Sequence, residues 1–381
     1  MNVTRRIYTL SFLSSVGSWL TFLAVALLIK EEYGADKVAL GFLIQSLGPL
    51  FLSNYFARNI PQKKQFSIYL LSLVLAAANV ALLVLNLGLW QIYLYYIFSS
   101  IIGAFSRPLF FSMLGEWIEK DQIVKVHTRI GSIQAAVLAF APPLGGFLTI
   151  YLGFEALFIL DALTFLIGIP LLLPKPQILN EYVESDKINF IVSVKEVELP
   201  QPLRRKLYTW YVYLGVGAIL NALEFKTFEY ANFSRSDIGI IIGAWGTGAL
   251  LSFLFNEKFS SRFKVTSTSI FASVAFVVFA MSQNLWLSTV CFVVGAFGNA
   301  LIGGMLRGDI QNKIPSGIKP LSIWSLVNKR LSLINIIFYG GISFTLPYVG
   351  YGFYIGLLFV ACVIFVWFCH LKDSETSPAF N

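Results

Sequence analysis

Apolar positions dominate this chain in long runs, interrupted by short polar breaks. Twelve runs approach or exceed the roughly 20 residues a helix needs to cross about 30 Å of hydrocarbon. They lie near 7–29, 38–56, 66–86, 90–117, 130–151, 154–173, 207–223, 237–255, 265–282, 285–306, 323–346 and 352–371. Strand alternation is absent, and the runs are too long for barrel strands. The pattern predicts an all-α membrane protein with twelve transmembrane helices. One break is long: residues 174–206 are polar and rich in Glu, Asp and Lys. It predicts a six-helix bundle over 1–173, a linker over 174–206, and a second six-helix bundle over 207–381 with a short tail. The first run follows Arg5 and Arg6 and lacks a small-residue cleavage site. It is read as a retained helix with anchoring charge rather than a signal peptide or twin-arginine signal.

Composition sharpens this picture. Hydrophobic residues make up 57% of the 381 and charged residues 13%, with mean hydropathy +0.73. Soluble domains carry about 25% charged residues. A soluble enzyme, a disordered chain and a nucleic-acid-binding domain are excluded. The net charge of +8 is explained by where the basic residues fall. With the N-terminus inside, 23 of the 28 Lys and Arg lie in inside segments. Lys30, Lys37, Lys226 and Arg235 lie outside, and Arg107 lies within a span. Lys and Arg concentrate on the cytoplasmic side, so both termini and the linker are expected to be cytoplasmic, facing an anionic leaflet. Cys291, Cys362 and Cys369 sit in apolar runs, and His127 and His370 are far apart. Neither a disulfide framework nor a metal site is expected, and no cofactor is.

The two halves repeat. Tyr8-Thr9 and Val16-Gly17 return as Tyr208-Thr209 and Val216-Gly217. Gly41, Gly48, Leu52 and Lys64 return as Gly239, Gly246, Leu250 and Arg262. Gly103-Ala104-Phe105, Leu109, Met113-Leu114 and Ile118 return as Gly295-Ala296-Phe297, Leu301, Met305-Leu306 and Ile310. Gly145-Gly146 returns as Gly340-Gly341. Six is an even number of spans, so the repeats run parallel, related by an axis along the membrane normal.

In span count, topology, central loop and repeat the whole chain resembles a major facilitator superfamily transporter. Ala141-Pro142-Pro143-Leu144-Gly145-Gly146 resembles the Gly-Pro-x-x-Gly-Gly element of that superfamily's exporters, with Ala141 replacing the first Gly. Asp161-Ala162-Leu163-Thr164-Phe165 resembles an Asp-Ala-x-Ser-Phe element of the branch holding macrolide and enterobactin-type siderophore exporters. One departure stands in the loop after the second span. The family pattern there places an Asp where this chain has Ala57 and a Gly where it has Ser53, although Arg58, Lys63 and Lys64 keep the basic character. That Asp helps latch the halves in the family. Glu257, in the symmetric loop ending at Arg262, is a candidate replacement.

Ionisable residues inside a span cost about 2.5–3.5 kcal/mol each and are functional candidates. Arg107 lies about 25 Å along span 4 at about 1.5 Å per residue. It either holds an anionic group in the central cavity that span 4 lines in the family, or caps carbonyls freed by Pro108. Asp161 lies about 15 Å shallower by the same rise. It is a structural hydrogen-bonding residue or a proton site. Glu116 ends span 4 as a solvated charge, a second proton-coupling candidate, or a partner for Lys329 or Arg330. Gln45, Asn79, Gln134, Asn221, Asn299 and Asn335 are intramembrane polar residues, and Asn299 is the repeat equivalent of Arg107. Interhelical hydrogen bonding accounts for most of the six. Trp19 and Trp245 are deep aromatic cavity candidates. Gly131, Pro142, Pro143, Gly145 and Gly146 give span 5 the close packing and bending a rocking bundle needs.

The sequence therefore predicts a secondary active transporter, not an enzyme: no nucleotide-binding Gly-x-x-x-x-Gly-Lys motif and no nucleophile–base cluster is present. Arg107, Asn299, Trp19, Gln45, Trp245 and Gln134 are the substrate-site candidates. By resemblance it exports an amphipathic small molecule, such as a drug, siderophore or modified peptide, in exchange for protons. It is expected as a monomer in a bacterial inner membrane. Uptake, lysophospholipid-like lipid transport and a non-transporting membrane sensor remain open alternatives.

Overall fold

A computed structural model of the chain describes residues 3–61, 64–118, 123–173, 199–259, 265–313, 320–346 and 348–376. Among them no strand occurs. The helices are α1 (Val3–Tyr33), α2 (Ala35–Asn59), α3 (Gln65–Ala81), α4 (Leu89–Trp117), α5 (Ile123–Leu172), α6 (Gln201–Tyr230), α7 (Arg235–Phe259), α8 (Val265–Met281), α9 (Leu285–Asn312), α10 (Pro320–Thr345) and α11 (Tyr351–Thr376). Seven of them are long and apolar enough to cross a membrane among the described residues.

The breaks between helices have local causes. Gly34 joins α1 to α2 at φ 94°, a conformation that costs glycine little. Helix α5 runs for 50 residues but is broken at Gly153, where φ is 78° and ψ 176°. The predicted spans 130–151 and 154–173 lie on either side of that break. Helix α6 starts at Gln201, inside the stretch expected as linker. Pro200 leads into it, and Pro202 sits in its first turn, where a missing N–H costs nothing. The rest of the expected linker, 174–198, lies outside the described residues.

The undescribed stretch 174–198 separates α1–α5, called the first half below, from α6–α11, called the second. Helix α1 packs on α5, α2 on α4, α7 on α9, and α8 on α9 and α11. The halves meet where α5 lies against α7 and α2 against α10, with α6 also touching α2. Below, the end carrying the α1–α2 turn is the distal end, and the end carrying the chain termini is the terminal end.

The core reports how the halves join. One cluster runs from the distal parts of α1, α2 and α4 (Leu23, Leu27, Phe42, Tyr96) into α6, α7, α8 and α11 (Leu223, Phe225, Ile238, Phe279, Leu358). A second cluster stays inside the first half towards the terminal end, holding Ile7, Leu10, Tyr69, Met113, Trp117 and Leu172. The halves thus share one core distally, and the first half closes on its own core at the terminal end. Large apolar side chains cover the outside instead, among them Leu85, Trp90, Phe98, Phe147, Trp286, Phe344 and Trp367. Such a surface requires lipid rather than water.

Close helix approach depends on glycine. A Cβ on Gly17 of α1 would collide with the Asp161 carboxylate and the Thr164 hydroxyl of α5. Gly103 of α4 has no neighbour within 4 Å of such a Cβ. We expect Gly17→Val to destabilise the protein by about 1–3 kcal/mol and Gly103→Ala to leave its melting temperature in place. Thermal unfolding of the purified variants checks both; equal melting temperatures would refute the packing.

Candidate functional site

The seam between the halves is tightest on the distal side of α5 and α7. A Cβ on Gly239 would lie 2.6 Å from the Pro142 carbonyl oxygen. One on Gly243 would lie 2.8 Å from the Ala139 carbonyl oxygen and also strike the Pro143 ring, and one on Gly246 would strike the backbone at Leu138 and Ala139. Proline lacks the N–H that would bond the carbonyl four residues back. Pro142 and Pro143 therefore release the carbonyls of Leu138 and Ala139, and α7 presents bare glycine backbone to that stretch. From the other side, Gly145 faces Leu20 and Leu23 of α1, and a Cβ on Gly146 would meet the Arg235 carbonyl of α7. The Pro-Pro-x-Gly-Gly element thus sits where α1, α5 and α7 converge.

Polar contacts cross the seam at the same end. Arg235 donates to both carboxylate oxygens of Glu31, at 2.7 and 2.6 Å, and to the Thr149 carbonyl at 3.1 Å. Its guanidinium lies 4.5 Å from the centroid of the Phe154 ring. On the second seam, Ser343 of α10 donates to the Asp36 carbonyl at 3.0 Å, and a Cβ on Gly340 would meet Leu43 of α2. Towards the terminal end, charges are held within one half: Lys206 pairs with Asp309 at 3.8 Å, and Arg6 donates to the Leu171 carbonyl at 2.5 Å. There one face of α5 is open, since Gly131 is exposed and has nothing within 4 Å of a Cβ position, while Val126 and Ile130 on its other face are buried in the first-half core.

Several of the predicted site residues are exposed on the terminal side of this seam. Arg107 is exposed. At about 100° per residue it shares the α4 face of Tyr96 and Ser100, opposite Leu94 and Phe98 on the outer surface. That face packs on α2 nearer the distal end, through Tyr96 against Gly41 and Ser100 against Gly48; at Arg107 it is uncovered. Gln45 is exposed on α2, and its carbonyl accepts from Ser100 at 2.7 Å. Gln134 is exposed on the α5 face that reaches α1 through Gly145. Trp19 is half-buried against Phe22. Asn299 is half-buried opposite the outward-facing Val290 and Val294, and its carbonyl accepts from Tyr213 at 3.0 Å.

Other predicted residues lie elsewhere. Trp245 stacks on Phe276 and meets Phe292 edge-on, within the second half. Asp161, only 1% exposed, is enclosed in the first half between Gly17 of α1 and its own turn, where Thr164 donates to its carboxylate at 3.2 Å. Thr21 lies beside it without a hydrogen bond in range. Asn79 is likewise internal, donating to the Tyr95 carbonyl and the Ser99 hydroxyl. Asn335 is half-buried on α10, and Lys64 is exposed before α3. The side chains of Arg58, Glu116 and Glu257, and the whole of Arg262, lie outside the described residues.

Two features escaped the sequence reading. Arg235 counts only as outside basic charge and Glu31 is not singled out, and nothing local marks them as partners 204 positions apart. Glu224 fell just past the expected end of its span at 223. Helix α6 continues to Tyr230 and buries it. The dense apolar stretch before it and Phe225 and Phe228 after it were the available signal.

Comparison with known proteins places this geometry. A family model described as Major Facilitator Superfamily matches residues 7–320. The class D tetracycline resistance protein of Salmonella ordonez is 24% identical over 280 residues, covering 71% of this chain and 68% of that protein. A bacterial homologue of the iron transporter ferroportin in an inward-facing state superposes with TM-score 0.69 at 14% identity, covering 96% of this chain and 98% of that one. A POT family transporter superposes with TM-score 0.72 at 11% identity, covering 98% of each chain.

The distal contacts make a direct expectation. Half-exposed ion pairs contribute about 1 kcal/mol or less, and that amount shifts a two-state ratio about fivefold. Arg235→Gln is expected to populate a distally open form. Spin labels at exposed Glu32 and Tyr348, one on each half, should then show an added longer distance in pulsed electron resonance. An unchanged distance distribution would refute the role of the pair.

Proposed function

Because the chain belongs to the major facilitator superfamily, we propose that it is a secondary active transporter of twelve transmembrane helices. The 44-residue apolar stretch Arg129–Leu172 is long enough for two crossings of about 30 Å, turning at Gly153. Both termini lie in the cytoplasm of a bacterium, as the Lys and Arg distribution favours, and the distal end faces outward. The substrate enters a cavity between the halves, and the halves rock to expose it to either side in turn.

One observation carries this reading. The halves are joined backbone to backbone at the distal end of α5 and α7, while Arg107, Gln45 and Gln134 are exposed further towards the terminal end. A site sealed at one end and open at the other is half of an alternating-access cycle. Arg107 is an exposed charged residue within a span there, and we assign it to holding an anionic part of the substrate. Asp161, enclosed within one half, fits a structural role better than proton transfer.

We further propose outward transport of an amphipathic small molecule in exchange for protons. The tetracycline resistance relative and the proline–glycine element at the α5–α7 seam support export. Uptake, lipid transport and sensing are the competing readings.

Purified protein in liposomes of known sidedness, with a pH-sensitive dye inside, tests the proposal. Tetracycline, a macrolide, a siderophore and a lysophospholipid are offered in turn. Ligand-dependent proton flux is expected, reduced at least tenfold by Arg107→Ala. Binding without any flux would favour uniport or sensing over exchange. Flux undiminished in the variant would remove Arg107 from the site.

A further inference from the structure

The most unusual group in the molecule is Glu224. The residue is 9% exposed, in the distal part of α6, and no ion pair reaches it among the described residues. An isolated carboxylate buried in apolar surroundings costs several kcal/mol unless a cation or a proton accompanies it. The Glu224 site is not walled off within one half, as Asp161 is. It lies at the seam: Tyr339 of α10 faces it, and the Asn221 side chain, one turn away on α6, lies beside the Tyr339 hydroxyl. From the first half, Phe42 of α2 meets Tyr339 at 5.9 Å and Phe225 at 6.3 Å between ring centroids. Phe42 stacks on Phe22 of α1, at 5.5 Å and 7° between planes, and Phe22 meets Trp19 at 5.1 Å. A continuous aromatic file therefore crosses from one half to the other beside the carboxylate.

The same α6 face connects Glu224 to the open region. Glu224, Asn221 and Gly217 lie within about 60° of one another around the helix at about 100° per residue. Asn221 is exposed, and Gly217 has nothing within 4 Å of a Cβ position. Towards the distal end the face is sealed. The carboxylate thus stands at the closed apex of the cavity, one turn beyond its last exposed residue. Among the described residues, Tyr339 is the titratable group of the surrounding helices that bears on it, and α1 and α2 offer rings there rather than charges.

We infer that Glu224, with Tyr339 and the rings of Phe42, Phe22 and Trp19, forms a binding site for a hydrophobic organic cation. The carboxylate supplies the counter-charge, and ring faces attract cations by about 0.5–2 kcal/mol each when water is excluded. With water excluded, the same negative charge repels anions of equal size. This assignment rests on the transporter reading, and it names the substrate's positive end. Arg107 lies about 27 Å from the distal start of α4, whereas Glu224 lies about 9 Å from the distal end of α6. The cationic end of the substrate therefore points to the apex and any anionic group towards the cavity mouth. Burying Tyr339 and Phe42 against each other across the seam makes the site dependent on closure of the halves.

Titration calorimetry on the purified full chain tests this with two ions of equal size and opposite charge. Tetraphenylphosphonium is expected to bind and tetraphenylborate not to. Glu224→Gln should weaken phosphonium binding at least tenfold, Glu224→Asp less, and Asp161→Asn not at all, with melting temperatures reporting that each variant folds. Phe42→Leu, which keeps the carboxylate, should weaken binding three- to tenfold. Equal binding of both ions, no phosphonium binding by the wild type, or undiminished binding by Glu224→Gln would overturn the site. Liposome flux with another ligand, lost in Arg107→Ala, would leave the transporter reading standing in that case. Phosphonium binding that depends on Glu224, with no proton flux for any ligand, would keep the site and overturn the proton-exchange reading.

Discussion

Everything in this molecule that concerns transport depends on how closely α5 and α7 approach. Their distal halves touch backbone to backbone, because Gly239, Gly243 and Gly246 remove every side chain from one surface. Pro142 and Pro143 remove two helical hydrogen bonds from the other. No larger residue fits there, so the contact is all or nothing: the helices are in register or they are apart. Packed interfaces of this kind are bistable rather than continuously deformable. The Glu31–Arg235 pair and the Ser343–Asp36 bond lie at the same end. They add modest energy to a contact whose shape is set by packing, which suits a seam that must open and reform.

Much of the architecture was legible in hydropathy alone. Each expected apolar run centres on a helix, because long runs of Leu, Ile, Val and Phe can satisfy their backbone in lipid only as helices; the run 66–86 outlasts α3, which ends at Ala81 and passes into a 3-10 turn over Leu82–Leu85. Boundaries moved where local chemistry outweighed composition. Polar first and last turns extended α1, α6 and α9 beyond their apolar centres, and that extension is what hid Glu224. The repeat was visible as well, but it misled about partners. Gly48 and Gly246 match in sequence, yet Gly48 packs on α4 inside its half, whereas Gly246 packs on α5 across the seam. The contact within the second half that corresponds to Gly48 on Ser100 is made by Gly248 against Val293 and Ala296 of α9. A two-residue difference, or about 200° of helix rotation, redirects the glycine.

The polar residues divide by what encloses them. Asp161, Thr164 and Asn79 are satisfied inside the first half, and Trp245 is part of the aromatic packing of the second. Arg107, Gln45, Gln134 and Asn221 are exposed within their helices. Sequence reasoning identified residue types and depth, which gave Arg107, Gln45 and Gln134. It could not tell an enclosed carboxylate from one at a seam, because that distinction depends on which helices face each other. Asp161 and Glu224 are equally conspicuous as buried acids, and only their neighbours separate a hydrogen-bonded structural group from an uncompensated charge beside the cavity.

The central claim is that the cavity between the halves opens towards the end carrying the chain termini and is sealed at the other. Labelling Asn221→Cys, in a background with Cys291, Cys362 and Cys369 replaced, tests it most directly. A membrane-impermeant maleimide would be applied to each face of sealed vesicles of known orientation. The account predicts labelling from the face that carries the termini and protection from the opposite face. Labelling only from the opposite face, or from neither while the unfolded chain still reacts, would contradict it.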